Sequence, residues 1–140
     1  MLDILDFKRL LTNICDRPGM YVGRPSLADV SLYLAGICHG LRLADVKFRP
    51  FDGFMQWIEM RFCISHPAWH WTRILEHVYG SDLACLQALP SLYDEFVTDR
   101  EHVGIEGIKA ETERRLWEKY GQNYGEPAET KTKPRSEESQ

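Results

Sequence analysis

The sequence predicts an all-α fold, a compact single-domain bundle of five to six helices over residues 1–120 with a disordered tail over residues 121–140. Three observations lead to this prediction. Apolar residues recur at intervals of three and four, as on one face of an amphipathic helix. Serine, proline and glycine mark the beginnings and ends of these segments. With 140 residues, 44% of them hydrophobic, the chain can form one domain with its own core.

The first predicted helix precedes a distinctive segment, Arg17-Pro18-Gly19-Met20-Tyr21-Val22-Gly23. Its apolar stripe consists of Leu5, Phe7, Leu10, Leu11 and Ile14. The helix should end before Pro18, because proline disfavours the helical conformation in the residue that precedes it. We expect Gly19 and Gly23 to form turns and Met20 and Tyr21 to pack on the core. The segment is therefore predicted to be a rigid structural corner, built by Arg17, Pro18, Gly19, Tyr21 and Gly23.

Ser26 is predicted to begin the next helix. A serine followed three residues later by an acid, here Asp29, is similar to a capping box. The apolar stripe of this helix consists of Leu27, Val30, Leu34, Ile37 and Leu41. Gly36 and Gly40 lie four residues apart on it, which favours close packing against a neighbouring helix.

Residues 54–64 fit two kinds of secondary structure. A helical stripe is formed by Phe51, Phe54, Met55, Ile58 and Phe62. Residues 57–64 also alternate between two faces, as a strand would. We favour the helix, because its stripe is longer and no turn signal begins a partner strand.

The second half of the chain predicts three more helices. The first begins at Ser65-His66-Pro67, with proline in the first helical position, and ends at Gly80. Ser81 begins the next helix, which Pro90 should break or kink. The last helix runs from about Ile105 to Tyr120.

Composition and charge argue against several classes of protein. The net charge is −4, whereas proteins that bind nucleic acids usually carry a basic stripe. The N-terminus lacks the basic start of a signal peptide, and no apolar run approaches the ~20 residues of a membrane span. The cysteines form no C-x-x-C pair and lie in apolar surroundings, at Cys15, Cys38, Cys63 and Cys85. We therefore expect a reduced, cytoplasmic protein with no nucleic-acid or membrane partner.

Few residues offer metal-binding or catalytic chemistry. His66 and His70 are four residues apart, and on a helix they could share a face and a zinc ion. We favour the alternative that both are capping or surface histidines, since no glutamate follows His66 as in H-E-x-x-H. Cys38 and His39 are neighbours, but adjacent residues on a helix point apart. We therefore predict no catalytic residue, no bound metal and no cofactor.

Two features are typical of a protein-binding surface. The first is a run of acids in the second half of the chain, Asp94, Glu95, Asp99 and Glu101. The second is the pair Trp69 and Trp71, whose side chains on one helix would point about 200° apart. One of the two should lie near the surface, and an exposed tryptophan beside acids makes a good hot spot for a partner. We predict that the four acids and Trp69 contact a protein partner.

The segment Arg17–Gly23 resembles the RPGMYIG segment in the ATPase region of type II topoisomerases such as gyrase B. In those ATPases a following helix carries E-x-x-D-N residues that bind magnesium and position water. The corresponding residues 31–39 hold no carboxylate or amide here. The later D-x-G-x-G motif is also missing, so ATP binding is not predicted.

A longer pattern is similar to a family of small, largely uncharacterised bacterial proteins that share an R-P-x-M-Y-x-G motif. Some members resemble immunity proteins that accompany polymorphic toxins. The resemblance covers about residues 10–97. The matching positions are Arg17–Gly23, Ser26-Leu27, Gly36, Phe54, Trp57-Ile58, Arg61-Phe62, Trp71, Ile74-Leu75 and Leu92–Phe96.

The resemblance implies a cytoplasmic immunity protein that binds a cognate toxin and neutralises it by occlusion, without catalysis. One alternative is a non-catalytic adaptor or regulatory module that self-associates through Trp69 or Trp71. A further alternative is a metal-dependent enzyme that uses His66 and His70.

Overall fold

The computed structural model describes residues 3–121, and within them it contains six helices and no strand. The helices are α1 (Ile4–Asp16), α2 (Pro18–Val22), α3 (Leu27–Leu43), α4 (Phe54–Phe62), α5 (Trp71–Tyr79) and α6 (Asp82–Tyr120). The predicted all-α class and helix number are confirmed. The tail that the sequence predicts to be disordered lies, apart from Gly121, outside the described residues.

Helix α6 is the central element, and α4 and α1 pack most extensively against it. The core between them is aromatic. Phe7, Phe54, Trp57, Tyr93 and Phe96 are all buried and in ring-to-ring contact. Phe54 and Phe96 meet edge to face with centroids 5.2 Å apart, an arrangement that aromatic pairs favour. This core fixes α1, α4 and α6 relative to one another.

The first helix ends where the sequence predicts. Asp3 caps α1, and Asp6 completes a capping box by accepting the Asp3 backbone N–H. The chain leaves the helix after Asp16, before Pro18. Both boundaries follow from local chemistry. An acid satisfies the free N–H groups of the first turn, and Pro18 disfavours the helical conformation at Arg17.

The predicted corner is built differently from the expectation. Pro18 follows the end of α1 and occupies the first position of a short helix, α2, which the sequence analysis does not predict. Its missing N–H costs nothing there. Gly19 is helical, so its predicted turn is wrong, whereas Gly23 has a φ of 86° and ends the helix. Met20 is 75% exposed and does not pack on the core. Tyr21 does pack there, with its ring 6.0 Å from that of Tyr33.

Helix α3 begins at the predicted cap. The Ser26 hydroxyl accepts the backbone N–H of Asp29 at 3.2 Å. The inner face of the helix is buried through Leu27, Val30 and Leu34. The predicted close packing at Gly36 and Gly40 is wrong, because no atom of a neighbouring helix lies within 4 Å of where a Cβ would be.

Residues 54–62 form the helix that we favoured over a strand. The next helix, α5, begins at Trp71, and the predicted start at Ser65-His66-Pro67 is wrong. The His66 carbonyl accepts the Trp69 N–H at 3.1 Å, and the His66 ring accepts the Ala68 N–H at 3.1 Å. These bonds close a local turn. Pro67 also favours this turn, because a proline disfavours the helical conformation in the residue before it, here His66.

The sequence predicts that Pro90 breaks or kinks its helix, and the predicted break is wrong, because α6 continues through Pro90. Pro90 keeps helical dihedral angles, and the break lies at Gly104, with φ 72° and ψ 173°. A proline in a helix interior costs about 3 kcal/mol. Its neighbours Leu86, Leu89 and Tyr93 are fully buried, and each buried side chain returns about 1.5–3 kcal/mol. The residues after the Gly104 break form the predicted last helix.

Candidate functional site

The solvent-facing side of α3 carries exposed leucines and few charged residues. No Asp, Glu, Lys or Arg occurs from Val30 to Leu41. Leu32 is 71% exposed and Leu43 is 77% exposed. These leucines are eleven residues apart, which places them within about 20° of each other around the helix. We call Leu32, Gly36, His39 and Leu43, which share this side, the α3 outer face.

An open cleft of about 510 Å³ lies beside the α3 outer face. Its apolar floor consists of Leu34, Phe51, Phe54, Met55 and Trp71, and its rim of Ser31, Ala35, Cys38, His39, Arg42 and His70. A smaller cavity of about 160 Å³ continues from Cys38 and Arg42 towards Asp52. His39 belongs to both the rim and the α3 outer face, so cleft and face form one continuous surface.

Three aromatic rings fix the floor of the cleft. The rings of Phe51 and Trp71 are nearly parallel, with centroids 6.2 Å apart and an angle of 8°. Phe54 meets both edge to face, at 5.1 Å from Phe51 and 5.2 Å from Trp71. Close-packed rings have few rotamers open to them. The floor is therefore a preformed apolar surface.

Charged side chains hold the connection between α3 and α4, which forms one wall of the cleft. The Arg100 guanidinium donates to the carbonyls of Arg49 at 2.9 Å, Pro50 at 3.3 Å and Asp52 at 3.2 Å. It also lies over the Phe96 ring, 4.8 Å from the centroid. The Tyr93 hydroxyl, which is buried, donates to the Pro50 carbonyl at 2.7 Å. The bonds from Arg100 are charge-assisted and therefore stronger than neutral ones. Together with the Tyr93 bond they hold this segment, which has no helix or strand, in one conformation.

Basic side chains outnumber acidic ones at and beside the cleft, although the chain carries a net charge of −4. Arg42, Arg49 and Arg100 lie at or beside it, and Asp52 supplies the carboxylate among the residues that line the two cavities. Arg42 contacts Asp52 through a single long ion pair of 3.4 Å. His70 adds no charge at neutral pH, because burial lowers the pKa of its ring.

Cys38 lies on the rim between the two cavities. Burial raises the pKa of its thiol above the ordinary value. The thiolate is the nucleophilic form of cysteine, so Cys38 stays protonated at neutral pH. Cys38 therefore contributes to the lining of both cavities as a neutral thiol.

The predicted acidic site does not form one patch. Asp94 and Glu101, seven residues apart, lie on an exposed side of α6, where Asp94 pairs with Lys8 at 3.2 Å. Glu95 and Asp99 are turned towards α4. Glu95 pairs with Arg61 at 3.4 Å.

Asp99 has a structural partner in the core. Its carboxylate accepts the indole N–H of Trp57 at 2.7 Å. Trp57 is fully buried, and a buried indole N–H usually needs a hydrogen-bond acceptor. This bond occupies the carboxylate that we predicted to face a partner.

Trp69 precedes α5 and is partly exposed, whereas Trp71 is the first residue of α5 and is buried. The His66 ring stacks on Trp69 at 5.1 Å, His77 lies 5.6 Å away, and the Arg73 guanidinium lies 5.4 Å from its centroid. Trp69 thus sits in a surface cluster, apart from the residues that line the cleft.

The structure does not give His66 and His70 the shared helix face that a zinc site would need. Both precede α5 in the turn and cap. The His70 ring faces the Thr72 hydroxyl at 3.2 Å and caps the helix. Within residues 3–121 no three His, Cys, Asp or Glu side chains are grouped so that they could hold a metal ion.

Sequence reasoning missed the α3 outer face and the cleft. A signal for the face was present, since Leu32 and Leu43 fall off the buried stripe and the run from Val30 to Leu41 carries no Asp, Glu, Lys or Arg. The cleft gave no comparable signal, because Phe51 and Trp71 come from separate segments and both fit an ordinary core pattern.

None of the helices in the described range is long and apolar enough to cross a membrane. Comparisons with protein-family models, with curated proteins and with solved structures found no match for this chain.

Proposed function

We propose that the protein is a non-catalytic protein-binding module, and more specifically a cytoplasmic immunity protein that binds a cognate toxin and occludes it. The observation that carries the binding function is the α3 outer face with its adjoining cleft. The two exposed leucines and the apolar cleft beside them together form an extended apolar surface, and such surfaces on soluble proteins mark interaction sites. The preformed cleft beside them can receive an anchoring side chain of the partner.

The specific form of the proposal is supported by two sequence features. One is the resemblance of the pattern over residues 10–97 to small bacterial proteins of the immunity type. The other is the set of four cysteines, all of them unpaired, which suits a reducing compartment. The interface that we propose is centred on α3. Asp94, Glu101 and Trp69 would contribute at its edge or to a separate contact.

The proposal is tested by coexpression with a toxin encoded beside this gene, followed by pull-down of the complex. The wild-type chain should protect the cells and bind the toxin. The double variant Leu32→Asp/Leu43→Asp should bind at least about a hundredfold more weakly, since burying each leucine contributes about 1.5–3 kcal/mol. The matched control is Leu83→Asp, because Leu83 is 58% exposed on α6. Equal binding by the double variant and the control, or no protection by the wild type, would contradict the proposal.

The same surface supports a second candidate, an adaptor that self-associates. Trp71 is too deeply buried for this role, but the α3 outer face could meet the same face of a second copy in a symmetric dimer. Sedimentation of the full chain over a range of concentrations separates the candidates. A dimer that Leu32→Asp dissociates would favour the adaptor, and a monomer throughout would favour the toxin-binding function.

A further inference from the structure

We propose that the cleft binds an acidic segment of the protein partner that also carries a large apolar side chain. A large apolar side chain of that segment enters the cleft, and a neighbouring carboxylate pairs with Arg42. This inference rests on the proposed function and names the chemistry of the partner at the same surface.

The cleft is large enough, and its floor apolar enough, to receive one large side chain. Its volume of about 510 Å³ lies within the range of about 300–1,000 Å³ of sites that hold small ligands. The rings of Phe51, Phe54 and Trp71 form its floor, and Met55 adds a flexible thioether side chain. Such a surface is complementary to an aromatic or branched aliphatic group.

Arg42 gives the cleft its preference for negative charge. Its side chain is mostly exposed, and its ion pair with Asp52 uses one of its nitrogens at 3.4 Å. A guanidinium has five N–H donors and pairs well with a second carboxylate. Arg49 and Arg100, behind the wall of the cleft, add positive potential. A lysine or arginine of a partner would be repelled here.

The cleft is already formed before any partner binds. Arg100 and Tyr93 fix the connection from Arg49 to Asp52, and packed rings fix the floor. Binding to a preformed site avoids the loss of conformational entropy that a mobile loop would impose. A short segment with one apolar anchor can therefore bind measurably by itself.

The first test uses three blocked dipeptides with the purified full-length chain. The probes are acetyl-Trp-Glu-amide, acetyl-Trp-Lys-amide and acetyl-Ala-Glu-amide, and binding is followed by NMR at the Trp71 indole and the Met55 methyl group. The Trp-Glu probe should bind at least about tenfold more tightly than either of the others, because it alone has both the anchor and the carboxylate. Equal affinities for the Glu and Lys probes would overturn the inference.

Charge reversal at Arg42 should reverse the preference. Arg42→Glu should favour the Lys probe, Arg42→Gln should abolish discrimination, and the control Arg61→Glu on α4 should behave as the wild type. Circular dichroism checks that each variant is folded. An unchanged preference in both Arg42 variants would overturn the inference. Free indole-3-acetate that binds more than tenfold more tightly than the Trp-Glu probe would also overturn it, by assigning the cleft to a small carboxylate.

Pull-down with the toxin separates failure of this inference from failure of the proposed function. If Leu32→Asp/Leu43→Asp loses the toxin while Arg42→Glu retains it fully, the surface is correct and the inferred partner chemistry is wrong. If the double variant still binds as well as the wild type, the proposed function itself fails. Loss of binding in both variants is the expected result.

Discussion

Asp99 shows how one residue can be misjudged from its neighbours in sequence. It lies in a polar run on α6, yet its carboxylate accepts the N–H of the buried Trp57 indole at 2.7 Å. The two residues are separated by 42 positions in the chain. A buried donor without an acceptor is costly, so this acid contributes to the stability of the core.

We expect Asp99→Ala to lower the free energy of unfolding by about 1–3 kcal/mol, because the indole N–H loses its acceptor. Asp99→Asn should cost less, since the amide oxygen can still accept. The control is Asp94→Asn, which removes an exposed ion pair and should cost less than about 1 kcal/mol. Urea unfolding measures all three variants. A cost for Asp99→Ala no larger than that of the control would show that the bond does not stabilise the fold.

At the scale of the element, α6 contains two residues that usually interrupt helices, and they act in opposite ways. Pro90 lies in a helical conformation and withholds an N–H from the carbonyl of Leu86. Gly104 has φ 72° and ψ 173°, a region that is open almost exclusively to glycine. The helix therefore accommodates Pro90. It depends on Gly104, because the chain changes direction there and the following segment places Ile108 in the core.

Replacing Pro90 and Gly104 by alanine, one at a time, should change the free energy of unfolding in opposite directions. Pro90→Ala should raise the free energy of unfolding by up to about 3 kcal/mol, because it restores a helical hydrogen bond and removes the ring clash. Gly104→Ala should lower it by about 1–3 kcal/mol, because alanine is strained at this positive φ. Chemical denaturation of both variants is the measurement. A stabilising Gly104→Ala would mean that the break is dispensable.

At the scale of the whole molecule, the cleft exists because distant segments are tied together. Arg100 on α6 binds three carbonyls of the connection between α3 and α4, and that connection brings Phe51 against Trp71 of α5. One guanidinium thus links the central helix to the wall of the candidate site. Removing it should loosen the cleft more than the core.

Arg100→Met tests this link. The backbone N–H of Phe54 donates to the Phe51 carbonyl at 2.9 Å and reports on the end of the connection. We expect its hydrogen exchange to accelerate by about tenfold or more, since charge-assisted bonds contribute about 1.5–3 kcal/mol each. Arg114→Met, at a surface ion pair on α6, is the matched control. Exchange at Phe54 that is equally slow in both variants would argue against the clamp.

The helices and most of their boundaries are determined by the sequence alone. The caps Asp3, Ser26 and Ser81 and the stops Gly23 and Gly80 act on groups within about four residues along the chain, so they can be predicted from local sequence. The start of α5 was predicted wrongly because His66 forms a competing local turn. The family resemblance and the toxin partner stay predictions.

Only the tertiary structure decided where function could lie. Whether Leu32 and Leu43 are covered depends on which helices pack against α3, and the cleft needs Phe51, Trp71 and Arg100 to meet from separate segments. The tolerance of Pro90 likewise depends on the burial of its neighbours. Local hydrogen bonds and periodicity carry no information about contacts between distant residues, because these depend on the path of the chain and on the packing of the whole core.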